Sequence, residues 1–119
     1  VLWSAFPIEC RRTAEYMHAF YLLISNVLKP EQTITSDAPQ DVEVIGFQLE
    51  NAIQINAVQL NEAEKARYVE DFPVSVKCNP CPQQVTLLPG RQSVPFRYED
   101  GTVSFMVSGL HIFAMYEVR

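Results

Sequence analysis

The spacing of hydrophobic residues changes along the chain from a helical period to a strand period. Between Arg12 and Leu28 the apolar residues recur every three or four positions, which predicts one helix that Pro30 ends. Other apolar residues of this segment lie outside that stripe, so the helix has very little polar surface. Such a pattern is typical of a helix buried on several sides. We therefore expect the helix to pack into a partner domain or to mediate self-association. Packing in a groove of the following sheet is the alternative.

From Val42 onwards, apolar residues alternate with polar ones, as they do in strands with one buried face. The alternation predicts seven strands: Val42–Leu49, Ile53–Leu60, Val74–Cys78, Val85–Leu88, Val94–Tyr98, Val103–Val107 and Leu110–Val118. Turn signals separate these strands about every ten residues, and Asp100-Gly101 is a strong hairpin signal. A break in the alternation near Gly46 predicts a β-bulge, and a second break at Val58 predicts a bulge or a twist. The fold class predicted is mainly β, a small antiparallel β-sandwich preceded by one strand and one α-helix.

These patterns predict three segments. Residues 1–30 hold the leading strand, Val1–Pro7, and the helix; residues 31–41 form a polar, proline-containing linker; residues 42–119 form the sandwich. The chain starts at Val1-Leu2-Trp3, without Met and inside a predicted strand. We therefore expect residues 1–30 to be the remnant of a preceding domain of a longer polypeptide.

Composition and charge exclude several classes of partner. Of the 119 residues, 48% are apolar and 19% are charged, which is typical of a globular protein. The formal net charge of -5 disfavours a nucleic-acid or anionic-membrane partner, because either needs clustered positive charge. No apolar run reaches the roughly 20 residues that span a bilayer, so we expect no membrane partner.

The three cysteines, Cys10, Cys78 and Cys81, do not make a disulfide framework, because their number is odd. Cys78 and Cys81 have C-x-x-C spacing, but a structural zinc needs four ligands, and the spare candidates share no motif spacing. Those candidates are Cys10, His18 and His111. A redox C-x-x-C usually opens a helix, whereas this one ends a predicted strand. The pattern favours reduced thiols, with zinc or a disulfide as alternatives, and is consistent with a cytoplasmic location.

Motifs of catalysis are missing from the sequence. It contains no glycine-rich phosphate loop, no H-E-x-x-H and no G-x-S-x-G, so we assign no catalytic, cofactor-binding or metal-binding residue and no cofactor. The acidic residues that could pair for glycoside chemistry fall in turns and at strand ends, where solvated surface charge is the expectation. They are Glu9, Glu50, Asp71, Glu99, Asp100 and Glu117. Glu9 and Cys10 follow a predicted strand end and are the candidates for an independent enzyme.

Four aromatic residues are the candidate contacts for a sugar or an interface: Trp3, Tyr68, Phe72 and Tyr98. An exposed aromatic face can stack on a sugar ring. Core packing is the alternative for each of them.

The end of the chain resembles the last strands of β-galactosidase-like glycoside hydrolases of the family 42 type and of related bacterial glycosidases. The resemblance lies in Val85-Thr-Leu-Leu-Pro-Gly90, Val94-Pro-Phe-Arg-Tyr-Glu-Asp-Gly101, Val103-Ser-Phe105 and Leu110-His-Ile-Phe-Ala-Met-Tyr-Glu-Val118. In that family, a catalytic barrel precedes a trimerisation domain, which is similar to class I glutamine amidotransferases, and a small C-terminal β-sandwich. The start of the chain, Val1–Glu9 with the following helix, looks like the end of that trimerisation domain. Active amidotransferases carry Phe-His-Pro-Glu there, whereas this chain has Phe6-Pro7-Ile8-Glu9, which implies a non-catalytic copy.

The resemblance implies a non-catalytic C-terminal accessory domain of a bacterial glycoside hydrolase, with a structural, interdomain or oligomerisation role. Its partners would be the upstream catalytic and trimerisation domains of the same polypeptide. The catalytic residues would lie in the barrel and fall on no residue of this chain. A carbohydrate-binding module on the sandwich is the alternative function, with carbohydrate as its partner.

Overall fold

The computed structural model describes residues 32–60 and 67–119, together with helical residues at positions 18, 19, 22–24, 26 and 27. The chain divides into two compact units, Val1–Gln32 and Thr33–Arg119. In the first unit, the described helical positions all fall within the predicted helix, and the predicted strand Val1–Pro7 lies outside the described residues. Among the helices that can be described, none is long and apolar enough to cross a membrane.

The second unit is an antiparallel β-sandwich, which confirms the fold class expected from the alternation. Its strands are β1 (Ile34–Ser36), β2 (Val42–Gln48), β3 (Ile53–Gln59), β4 (Phe72–Lys77), β5 (Val85–Leu88), β6 (Gln92–Val94), β7 (Phe96–Glu99), β8 (Thr102–Val107) and β9 (Phe113–Val118). A four-stranded sheet has the order β1-β4-β8-β7, and a five-stranded sheet has the order β2-β3-β9-β5-β6. All neighbouring strands are antiparallel.

The described part of the chain forms nine strands, where the sequence predicts about seven. One of the two extra strands arises because the predicted strand Val94–Tyr98 divides at Pro95 into β6 and β7, which belong to different sheets. Proline has no N–H to donate to a strand ladder, so the chain leaves one sheet at this residue and enters the other.

The other extra strand, β1, lies inside the stretch expected to be a linker. Ile34 pairs with Val76 of β4, and the Lys77 N–H donates to the Thr33 carbonyl at 2.8 Å. Ile34 packs against the core, while the other two residues of β1 are polar and exposed. A three-residue edge strand with one inward apolar side chain has no alternation to detect, which explains why its composition predicted a linker.

The core fills the space between the two sheets with the inward residues of alternating strands. In the four-stranded sheet they come mainly from β4 and β8, and in the five-stranded sheet from β3, β5 and β9. The rings of Phe105 on β8 and Tyr116 on β9 lie 5.1 Å apart between centroids and join the two layers. The buried core residues of these strands are Ile55, Ala57, Phe72, Val74, Val76, Val85, Val103, Phe105, Val107, Tyr116 and Val118.

The bulge predicted near Gly46 is wrong, because β2 pairs with β3 in one unbroken register from Val42 to Gln48. Gly46 is an inward position of β2, and a β-carbon there would overlap the Cδ1 atom of Ile34 from the opposite sheet. The missing side chain therefore makes room for Ile34. In the sequence, an inward position with no side chain looks like a shift of the apolar pattern to the other face.

At Val58, where the sequence predicts a bulge or a twist, the structure has no bulge, for a related reason. The pairing of β3 with β2 and β9 is continuous, and the inward position after Ala57 is taken by Gln59. Gln59 is buried, its Nε2 donates to the Arg67 carbonyl at 3.0 Å, and its Oε1 accepts from the Arg67 N–H at 3.2 Å. A buried amide whose hydrogen bonds are satisfied breaks the apolar alternation without changing the direction of the strand.

Candidate functional site

The outer face of the four-stranded sheet is mostly polar, and Met106 is its large exposed apolar side chain. Across it, Thr35, Ser75, Ser104 and Arg97 lie in one row of paired residues. The hydroxyl oxygens of Ser75 and Ser104 are 2.8 Å apart, and Arg97 forms an exposed ion pair with Glu99 at 2.9 Å. This composition is typical of a sheet face that stays in water.

The outer face of the five-stranded sheet is different, because it carries a group of apolar side chains. The pairing places Ile45, Asn56, Met115 and Leu88 in one row across β2, β3, β9 and β5. Phe47 extends this group along β2, and Val58 and Phe113 form a paired row beside it. We call these six apolar residues the apolar face: Ile45, Phe47, Val58, Leu88, Phe113 and Met115.

Three side chains of the apolar face are well exposed. The exposed fraction is 37% for Ile45, 49% for Phe47 and 50% for Phe113. Single exposed apolar residues are normal, but a contiguous apolar group on one sheet face is typical of an interaction surface. The apolar face is thus the candidate interface of this unit.

A groove of about 600 Å³ opens at one end of the sandwich. Its walls come from the β2–β3 turn, the end of β4 with the loop that follows, and the end of β9. The loop is held in place because the Gln83 and Gln84 N–H groups both donate to the Arg119 carbonyl, at 2.6 and 3.0 Å. The polar lining residues are Gln48, Glu50, Asn51, Lys77, Asn79, Gln83 and Arg119. We call this cavity the end groove.

Cys78 and Cys81 both line the end groove as free thiols. Cys78 is half-buried, and this burial raises the pKa of its thiol, with a smaller contribution from the nearby Cys81, while a hydrogen bond to the Val103 backbone acts in the opposite direction. At neutral pH Cys78 is therefore a protonated thiol and a poor nucleophile. Among the residues whose placement is described, no three His, Cys, Asp or Glu side chains lie together in the way a metal site requires.

The four aromatic candidates do not come together. Trp3 lies outside the described residues. The structure corrects the prediction that Phe72 is a sugar or interface contact. Phe72 is 3% exposed and packs in the core as the first inward residue of β4, so its ring is not available to a ligand. Tyr98 is half-buried, and its hydroxyl donates to the Cys78 carbonyl at 3.2 Å. Tyr68 is exposed, beside His111 with ring centroids 5.0 Å apart. It lies in the segment before the start of β4, whereas Tyr98 lies in the row of Val103 and Val76, near the end of β4.

Of the candidate carboxylates, three make local structural contacts. Asp71 accepts hydrogen bonds from the Ser108 hydroxyl at 2.7 Å and the Gly109 N–H at 3.4 Å, and so holds the β8–β9 turn. Glu99 and Glu117 pair with arginines two residues away along the chain. Glu50 lines the end groove. Glu9 and Cys10, the candidates for an independent enzyme, lie outside the described residues.

Sequence reasoning missed both candidate sites. The end groove combines segments that are far apart in sequence, and no local motif marks it. The apolar face has a signal in the sequence, because the apolar residues change from even to odd positions between Val44 and Ile45. This change of position predicts a bulge near Gly46, whereas the structure has a second apolar face there.

Comparison with known proteins shows a likeness in fold. No family model matches the chain, and no curated protein matches its sequence. Among solved structures, the chain is similar to α-L-fucosidase isoenzyme 2 from Paenibacillus thiaminolyticus, with a TM-score of 0.78 and 14% sequence identity. The match covers 94% of this chain and 19% of the fucosidase chain. The chain therefore has the fold of a part of a glycoside hydrolase that is about five times longer.

Proposed function

We propose that this chain is a non-catalytic accessory domain of a larger glycoside hydrolase, with a structural, interdomain role. The fold likeness to a fraction of an α-L-fucosidase supports a relation to glycoside hydrolases. The resemblance of the last strands to β-galactosidase-like enzymes of the family 42 type supports a C-terminal position in the parent enzyme. Its partners in this proposal are the catalytic and trimerisation domains of the same polypeptide, in the bacterial cytoplasm.

The observation that carries the proposal is the contrast between the two outer sheet faces. The four-stranded sheet presents hydroxyl groups and an ion pair, whereas the five-stranded sheet presents the apolar face. Two faces that both stay in water would have similar polar compositions, since each solvated face of an antiparallel sheet alternates polar-out. A unit with one polar and one apolar outer face is suited to packing against a neighbouring domain through the second.

The test uses the complete polypeptide in which these residues occur, assayed with a panel of aryl glycosides and by thermal unfolding. We expect the complete polypeptide to have glycosidase activity. We expect Phe113→Lys to lower its melting temperature, because the substitution places a charge in the interdomain contact. Ser104→Lys, on the polar outer face, is the matched control and should leave the melting temperature unchanged. A complete polypeptide without glycosidase activity would refute the enzyme assignment. Equal melting temperatures for the two variants would refute the interdomain role.

A second candidate function, carbohydrate binding, is favoured by the end groove. Its amide side chains include Gln48, Asn51, Asn79 and Gln83, and amides are suitable hydrogen-bond partners for sugar hydroxyls. Calorimetric titration of the chain with galactosides and oligosaccharides tests this candidate. Saturable binding that Asn79→Ala abolishes and Tyr68→Ala preserves would support a binding module. If millimolar sugar gives no heat of binding, the end groove is not a carbohydrate-binding site.

A further inference from the structure

Strand β2 is the longest of the four edge strands in the two described sheets. Among the described strands, β2 pairs only with β3, so its other side has no strand neighbour. The other edge strands, β1, β6 and β7, have three or four residues, whereas β2 has seven. β2 also lacks the usual protections of an edge, because it contains no proline and no bulge, and Glu43 is its one charged residue.

The backbone groups that face this open edge can be identified from the pairing. At the β2–β3 turn the Leu49 N–H donates to the Ala52 carbonyl at 2.8 Å, and at the other end the Leu60 N–H donates to the Asp41 carbonyl at 2.7 Å. Hydrogen-bonded pairs alternate with non-hydrogen-bonded pairs in an antiparallel ladder. The odd-numbered residues of β2 therefore bond to β3, while Val44 and Gly46 direct their N–H and C=O groups to the edge.

We propose that β2 is a self-association strand, on which the β2 strand of a second copy pairs antiparallel about a two-fold axis at Ile45. In this arrangement Val44 of each copy is opposite Gly46 of the other, and together they can form four backbone hydrogen bonds. Ile45 is opposite Ile45 on the outer face. Glu43 is opposite Phe47, so no two like charges meet across the axis.

A second copy fits this edge because β2 is self-complementary in that register. A shift that placed Glu43 opposite Glu43 would bring two carboxylates together and leave the end of the strand unpaired. The centred register pairs all seven residues and joins two five-stranded sheets into one. Contact between the Ile45 side chains adds apolar burial, since each is 37% exposed in one copy. The inference goes beyond the proposed function, because it depends on the backbone of β2 and not on the parent enzyme.

The test is made on the 119-residue chain by sedimentation velocity across a range of concentrations. We expect a dimer of twice the 13.6 kDa chain mass at high concentration. Ile45→Lys and Ile45→Glu should each weaken dimerisation at least tenfold, because like charges then face each other across the axis. An equimolar mixture of the two variants should restore a dimer, since lysine is then opposite glutamate.

The control variant is Phe113→Lys, which puts the same charge on a more exposed position of β9, a strand with neighbours on both sides. It should leave the dimer intact. Loss of the dimer in Phe113→Lys to the same extent as in Ile45→Lys would overturn the edge pairing in favour of face-to-face packing. A dimer that survives both Ile45 variants, or a monomer at every concentration of the unaltered chain, would also overturn it.

Amide hydrogen exchange of the unaltered chain gives a second measurement that needs no substitution. The N–H groups of Val44 and Gly46 should exchange slowly at high concentration and rapidly on dilution. Those of Ile45 and Phe47, which bond to β3, should stay protected in both conditions and serve as internal controls. Exchange at Val44 and Gly46 that is independent of concentration contradicts the proposal.

Discussion

Replacing Phe105 with alanine tests whether the two sheets are joined as the structure indicates. Phe105 is an inward residue of β8, which lies between β4 and β7, and it is 3% exposed. Its ring is close to that of Tyr116 in the opposite sheet. Removing the ring therefore leaves a cavity in the centre of the sandwich that the pleated strands on each side cannot easily close.

Two estimates of the stability lost in Phe105→Ala agree. A buried phenylalanine removes about 150–250 Å² from water, which corresponds to about 4–6 kcal/mol at ~25 cal/mol per Å². Alanine keeps part of that burial, and measured Phe→Ala substitutions in protein cores cost about 3–5 kcal/mol. We expect the free energy of unfolding to fall by about 3–5 kcal/mol, a large fraction of the roughly 5–15 kcal/mol that stabilises a domain.

The assay is urea unfolding followed by far-UV circular dichroism. With a urea dependence of about 2 kcal/mol/M, the midpoint should fall by about 2 M. The matched control is Met106→Ala, because Met106 is the next residue of β8 and points outward. The control should change stability by less than about 0.5 kcal/mol. A loss below about 1 kcal/mol for Phe105→Ala would show that the inner face of β8 is assigned incorrectly.

Three further predictions concern polar groups. Gln59→Leu should lower the free energy of unfolding by about 1–3 kcal/mol, because it leaves the Arg67 backbone N–H and carbonyl without their side-chain partner. An unchanged midpoint of urea unfolding would contradict this. Burial raises the pKa of Tyr116 above its ordinary value of about 10, so the unfolded chain releases this proton first and stability should fall as pH rises above about 10. Tyr116→Phe should weaken that loss, and an unchanged pH profile would refute the assignment. Iodoacetamide at pH 8, followed by peptide mass spectrometry, should label the exposed Cys81 faster than Cys78, whose burial raises its pKa; equal rates would argue against that burial.

The sequence predicts most of the sandwich, because a strand with one buried face records that burial as an alternation. The predicted strands Val74–Cys78 and Val103–Val107 agree with β4 and β8 to within two residues at each end. The alternation does not predict the structure where an inward position lacks a large apolar residue, as at Gly46 and Gln59. It also misses a strand that is too short to alternate, as β1 is.

The candidate sites were harder to predict than the fold. The end groove depends on three segments that meet only in the folded chain. An aromatic side chain alone is a weak sign of a ligand contact, as Phe72 shows. Phe72 alternates with Val74 and Val76, and this position in the strand is the stronger sign, because it indicates core packing.

The fit between Ile34 and Gly46 constrains how this sequence can change over evolutionary time. The two residues belong to different sheets, and any side chain at position 46 occupies the space that Ile34 fills. A larger residue at position 46 is therefore acceptable only after position 34 has become smaller, and the order of the two substitutions matters. Homologous sequences should vary at these two positions in a correlated manner. This correlation would identify the contact between the sheets without a structure.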